Sequence, residues 1–355
     1  MDVSSTLVTG SRTAPDAGTP GLTGIVPVVP AERLVAELVP PAHFADATFD
    51  SYVPDEAHAS QAAAVDRLRA VADEVATSGA ARGWWRRRRT AAPAVYLDGG
   101  FGVGKTHLLA ALAHRVRAHG GTAAFGTFVE YTHLVGALGF GATVQALSAF
   151  RLVCIDEFEL DDPGDTVLMS RLLRELADHG VALAATSNTL PESLGEGRFA
   201  AEDFLREIQA LAARFEVLRI DGQDYRQRSV RHDGGLADDV VRASVAGRAG
   251  ATVDDFDALL THLERVHPSK YGALLDGVRV VGLTGVHAVT RQDVALRLVV
   301  LVDRLYDRDV PVLLGGAGTD GLFSPEMLAG GYRKKYYRAL SRLGALASDG
   351  AALVP

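Results

Sequence analysis

The chain has 355 residues, 48% of them hydrophobic, which is enough for one large or two modest globular domains with sizeable cores. Its 36 basic and 44 acidic side chains leave a net charge of −8, so no overall basic field draws it onto nucleic acid, and only a local contact stays open. The single cysteine, Cys154, sits in an apolar run and argues for a buried thiol in a reducing compartment; the eleven histidines form no H-E-x-x-H metal pair.

Residues 1–24, rich in Ser, Thr, Gly, Pro and Ala and lacking periodic apolar positions, are expected to form a disordered tail. They carry no basic and apolar leader, and the longest apolar stretch near the C-terminal end, Leu296 to Leu305, is broken by Asp303 and Arg304. No segment reaches the ~20 apolar residues of a membrane helix, so a soluble, cytoplasmic protein without a membrane span is expected. Residues 25–90 read as a helical N-terminal segment, with one pattern around Leu34 and Leu38 and another in which Ala62, Val65, Leu68, Val71 and Val75 recur at spacings of three and four. It closes on Trp84-Trp85-Arg86-Arg87-Arg88-Arg89, a block that either clamps a nucleic-acid strand or lies solvated on the surface.

Residues 91–230 carry the chemistry. An apolar run, Ala94 to Leu97, leads into Gly99-Gly100-Phe101-Gly102-Val103-Gly104-Lys105-Thr106, and a helical pattern follows through His107, Leu108, Leu109 and Leu112. This strand-loop-helix context makes the octapeptide a phosphate-binding loop, because backbone N–H groups wrap a phosphate chain that closely only where glycines remove the Cβ clash. Lys105 adds a mobile cation, Thr106 offers a hydroxyl to Mg²⁺, and the helix points its positive dipole end at the anion. A chance glycine-rich turn is the competing reading. Lysine usage opposes it: the only four lysines are at 105, 270, 334 and 335, so arginine serves wherever charge alone matters, and a compact ammonium is selected here.

A β-like run from Thr122 to Phe128 and a weak helix come next, then Leu152 to Ile155 ending in Asp156 and Glu157. Four apolar residues tipped by two acids read as a buried parallel strand that delivers carboxylates to the site, Asp156 to Mg²⁺ through water and Glu157 as general base. A helix from Thr166 to His179 and a strand Val181 to Thr186 end in Ser187-Asn188, which places the Asn188 amide where it senses the γ-phosphate. Another strand is expected at Glu216 to Ile220. Alternating strands and helices predict a doubly wound parallel α/β sheet of the P-loop type, with the site at the strand tips.

Residues 231–250 are polar and Gly-rich, suggesting a linker or insertion, and residues 251–355 read as a C-terminal α/β and helical extension of the core. Its expected elements are a capped helix starting near Thr252, a strand Val278 to Leu283, a helix from Thr290, a strand Val310 to Leu314, and a final helix Tyr332 to Ala347 that returns Arg338 and Arg342 to the nucleotide.

In order and spacing these pieces resemble the ZapE-type cell-division ATPases of the AFG-like AAA family. The resemblance rests on Gly99 to Thr106, Ile155-Asp156-Glu157-Phe158, Ala185-Thr186-Ser187-Asn188 with Pro191, Asp224-Tyr225-Arg226, Leu301-Val302-Asp303 with Tyr306-Asp307, and Arg338 with Ser341-Arg342-Leu343. It implies ATP hydrolysis on an AAA-like core with ATP and Mg²⁺, assembly into a homo-oligomer when ATP is bound, and a protein partner such as a division-ring component at the septum. Where the family carries Gln-Arg-x-x-Phe-Leu-Pro this chain differs, leaving Arg198 and Arg206 as the candidates for an arginine finger reaching a neighbouring subunit. His107 stands where the family has Met, a feature shared with helicase-loader P-loops, so a nucleic-acid-associated loader is the alternative reading.

Overall fold

The computed structural model describes residues 19–78, 92–100, 102–158, 163–188, 213–222 and 234–354. In chain order its first half holds α1 (Ala31–Ala36), α2 (Ala59–Ser78), β1 (Ala94–Gly99), α3 (Lys105–Ala118), β2 (Ala123–Thr127), α4 (Phe128–Leu138), α5 (Phe140–Leu147), β3 (Leu152–Asp156), α6 (Pro163–Asp178), β4 (Ala182–Ser187) and β5 (Glu216–Ile220). The second half holds α7 (Asp238–Val245), β6 (Ala251–Asp255), α8 (Phe256–Arg265), α9 (Tyr271–Leu274), β7 (Val280–Thr284), α10 (Gln292–Asp307), β8 (Val312–Leu314), α11 (Pro325–Ala329) and α12 (Arg333–Ala351).

The first sheet runs β2-β3-β4-β1-β5 with every neighbouring pair parallel. Side chains alternate across it as a strand period of two requires: Val95 and Leu97 of β1 pack with Leu68, Val71 and Leu109 on one face, whereas Tyr96 packs with Tyr131, Leu134 and Leu172 on the other. Helices therefore cover both faces, the expected doubly wound arrangement, and each fully buried Leu or Val contributes on the order of 1.5–3 kcal/mol relative to exposure. The register sets the strand tips beside one another, with Asp98 opposite Ser187 and Thr127 opposite Asp156. Cys154 is fully buried in β3.

Three expectations change. Residues 251–355 do not extend the first sheet but build their own parallel sheet, β6-β7-β8. Val241 and Val245 of α7 cover one face of it; α8, α10 and α12 cover the other. Residues 234–250 accordingly contain a packed helix rather than only a linker. The helix read from Thr252 begins at Phe256, because Ala251–Asp255 is a strand and Asp255, one residue before the helix, accepts the Ala258 N–H as its cap. Finally, the tail ends earlier than residue 24: Leu22–Gly24 form a 3₁₀ turn, Leu22 is fully buried, and Asp254 accepts the N–H groups of Leu22 and Thr23.

The two halves meet through charge. Glu130 caps α4 by accepting the Thr127 N–H at 2.6 Å and also pairs with Arg304 of α10. Burial works against the Glu130 charge, but Arg304 and the hydrogen bonds from Thr127 together outweigh it and hold the carboxyl below its ordinary range. On the outer edge of β2, the Phe125 N–H donates to Leu38 O at 3.0 Å, so the N-terminal segment shields that edge.

Candidate functional site

The loop after β1 is shaped by two close approaches. Gly104, one residue before α3, sits at φ +87°, and a Cβ there would lie 2.5 Å from the Tyr52 ring; a Cβ on Gly99 would lie 2.4 Å from Ile220 O. Tyr52 also donates its hydroxyl to Val103 O at 2.9 Å, bracing the loop from outside. Lys105 is buried, and its ammonium donates to Gly99 O and Gly100 O, both at 2.6 Å, and to Asn188 Oδ1 at 2.8 Å. The lysine and the asparagine, 83 positions apart, thus share one point in space.

Thr106 donates its hydroxyl to Asp156 Oδ2 at 3.0 Å, and Thr186 donates to the other oxygen of that carboxylate. Burial pushes the Asp156 carboxyl up, opposed by these two hydroxyls and by the charges of Arg342 and Lys105. The Thr186 hydroxyl also accepts the Glu157 N–H at 3.1 Å, so one β4 side chain positions both acids. Glu157 has φ +54°, a left-handed conformation that costs a non-glycine residue about 1 kcal/mol or more. That turn carries its carboxylate away from the strand and toward α12. There Arg338 Nη1 donates to Glu157 Oε2, Arg342 Nη2 lies 3.7 Å from Glu157 Oε1, and Asp303 of α10 accepts from Arg338 at 2.7 Å and from Arg342 at 2.6 Å. Burial works against the Arg342 charge, but Asp303 and Asp307 hold it above its ordinary value.

A cavity of about 250 Å³ joins these groups: Gly102, Gly104, Lys105, Thr106, Asp156, Glu157, Asn188 and Arg338 all line it. His107 borders it too, yet its Nε2 faces Thr48 O at 3.0 Å and Ser51 Oγ at 3.1 Å, so the ring buttresses the 48–52 segment. Phe101, Arg198, Arg206 and the Trp84 to Arg89 block lie outside the described residues. Sequence reasoning did not single out Tyr52 or Thr186 for the site, and it took Asp303 only as part of a motif. Tyr52 and Thr186 are generic strand or loop types locally, and only the folded chain brings them to the loop and the acids.

Residues 28–238 and 237–352 match the sequence model of the AFG1-like ATPase family. The chain belongs to that family. The cell division protein ZapE of Escherichia coli K12 is 27% identical to this AFG1-like ATPase over 197 residues, 46% of this chain and 52% of ZapE, so the chain spans about half the length of this curated relative. Lactation elevated protein 1 homolog B of Danio rerio is 33% identical over 98 residues, 27% of this chain and 20% of that protein. Among solved structures, the DnaC helicase loader aligns with TM-score 0.36 and 18% identity, over 50% of this chain and 99% of that one. Among the described residues of this AFG1-like ATPase, no helix is long and apolar enough to cross a membrane.

Proposed function

We propose that this chain is a Mg²⁺-dependent ATPase that couples hydrolysis to a conformational change in a protein partner. One observation carries the reading: Lys105, Thr106, Asp156, Glu157 and Asn188, drawn from the tips of β3 and β4 and from the start of α3 after the glycine loop, line a single cavity. Lys105 and the loop N–H groups hold the phosphate chain. Thr106 and Asp156 offer the hard oxygen donors that suit Mg²⁺, which when bound neutralises charge on the transferred phosphoryl group. Glu157 takes the proton of the attacking water, and the Asn188 amide orients that water against the terminal phosphate. The cell division protein ZapE as a relative supports a cell-division setting; within it the reading takes a division-ring protein as partner, recruitment from the cytoplasm to the septum, and a homo-oligomer in the ATP-bound state.

Single-turnover kinetics on Glu157→Gln test the chemistry. ATP should bind as in the wild type and remain unhydrolysed; normal turnover removes Glu157 from its role. Mixing Lys105→Ala subunits with Arg198→Ala or Arg206→Ala subunits tests assembly, since intact half-sites restore activity only if the finger acts between subunits.

A further inference from the structure

We propose that Lys334 and Lys335 grip the terminal phosphate from within the same chain and so make the site prefer a nucleoside triphosphate to a diphosphate. The proposal rests on the nucleotide-site reading above and deepens it. Both lysines line the same 250 Å³ cavity as Lys105, Asp156, Glu157 and Asn188. Composition sharpens the point: of only four lysines in 355 residues, three border this one cavity, while arginine supplies the rest of the basic side chains. A lysine ammonium is a compact charge with three swivelling donors, suited to a phosphate that changes geometry during transfer, whereas a guanidinium fork is planar and fixed.

Electrostatics point the same way. The catalytic wall carries two carboxylates, Asp156 and Glu157, which repel a terminal phosphate brought beside them. Lys105 lines the cavity from the glycine loop, and α12 brings Lys334, Lys335 and Arg338 to it; Lys335 lies 5.3 Å from the centre of the Tyr332 ring. The first turn of α12 contains Arg333, Lys334 and Lys335, no acid and no side-chain cap. Cations at the positive end of a helix oppose its macrodipole. A phosphate held by Lys334 and Lys335 beside that helix end is favoured by both the lysine charges and the helix dipole.

Calorimetric titration of the full chain with a non-hydrolysable ATP analogue and, separately, with ADP tests this on the wild type, Lys334→Ala, Lys335→Ala, the double alanine variant and the double arginine variant. The double alanine variant should lose about tenfold or more in affinity for the analogue, the scale of a charge-assisted hydrogen bond, and less than about threefold for ADP. The arginine pair should recover only part of that loss. Equal losses for both nucleotides, or no loss for either in a variant with wild-type circular dichroism, overturn the proposal while the ATPase reading stands. A wild type that binds neither nucleotide overturns both.

Discussion

Replacing Asp303 by asparagine isolates the contact that ties the C-terminal half to Glu157. Asp303 accepts one hydrogen bond from Arg338 at 2.7 Å and one from Arg342 at 2.6 Å, and the three side chains are only 18–19% exposed. Asparagine keeps the shape, removes the charge, and turns a donor toward one of the two guanidiniums. One charge-assisted bond is then lost and the other becomes a bond to a neutral acceptor; with charged bonds worth about 1.5–3 kcal/mol and neutral ones about 1, the loss is about 2–5 kcal/mol. The exposed pair Arg291–Asp293, 61% and 62% exposed, supplies the contrast, and Asp293→Asn should change stability by less than about 1 kcal/mol. Hydrogen exchange read by mass spectrometry on peptides from α10 and α12 measures the opening free energy of both helices in the intact protein. The expected result is a drop of the stated size in α10 and α12 for Asp303→Asn, with β3 and β4 far less affected. A drop no larger than that of Asp293→Asn would refute the reasoning, since it would mean that the Asp303 pairs behave as surface ion pairs.

Gly104→Ala should abolish measurable ATP binding by calorimetry and lower the thermal midpoint, because the new Cβ meets the Tyr52 ring at 2.5 Å and the residue must hold φ +87°; adding Tyr52→Ala should restore only part, as the backbone conformation stays unfavourable. Asp307 gives a pH signature: burial, with Glu130 and Asp303 adding like charge and Arg342 and Arg304 opposing, pushes its carboxyl up to about 7. The folded chain therefore holds a proton that the unfolded chain releases above about pH 4, so this group costs nothing below that pH, its penalty grows as pH rises, and it is complete above about 7, on the order of a few kcal/mol. Urea unfolding of Asp307→Asn should show a gain over wild type at pH 8 that vanishes at pH 4; a gain independent of pH would exclude this titration as its source.

What could be read from the sequence was what local chemistry encodes. The glycine loop, the acid-tipped strand Leu152–Asp156 and the strand Glu216–Ile220 each carry their signal within a few residues. Thr252 misled because Thr and Asp are cap residues by type, and a strand ending in Asp255 presents the same letters as a helix beginning there. Leu22 looked like tail because a three-residue turn has no period, and its partner Asp254 lies 232 positions away. The separate second sheet was missed for a related reason: Val280–Thr284 and Val312–Leu314 are buried strands of the same type as those of the first sheet, and nothing local states which sheet a buried strand joins.

The pairing of Glu157 with Arg338, 181 positions apart, is the part with the largest consequence. Its two members belong to different halves of the chain, and each alone has an ordinary local explanation: an acid after a strand, a base on an amphipathic helix. Together they make the placement of Glu157, the proposed general base, depend on the docking of the C-terminal half. Arg338 divides its donors between Glu157 and Asp303, and Arg342 does the same at longer range, so whatever draws α12 toward or away from α10 also changes how firmly Glu157 is held. Linkage makes that relation reciprocal: if nucleotide binding alters the Arg338–Glu157 contact, then the free energy of docking the C-terminal half changes by the same amount, and a protein that binds that half must shift nucleotide affinity in turn.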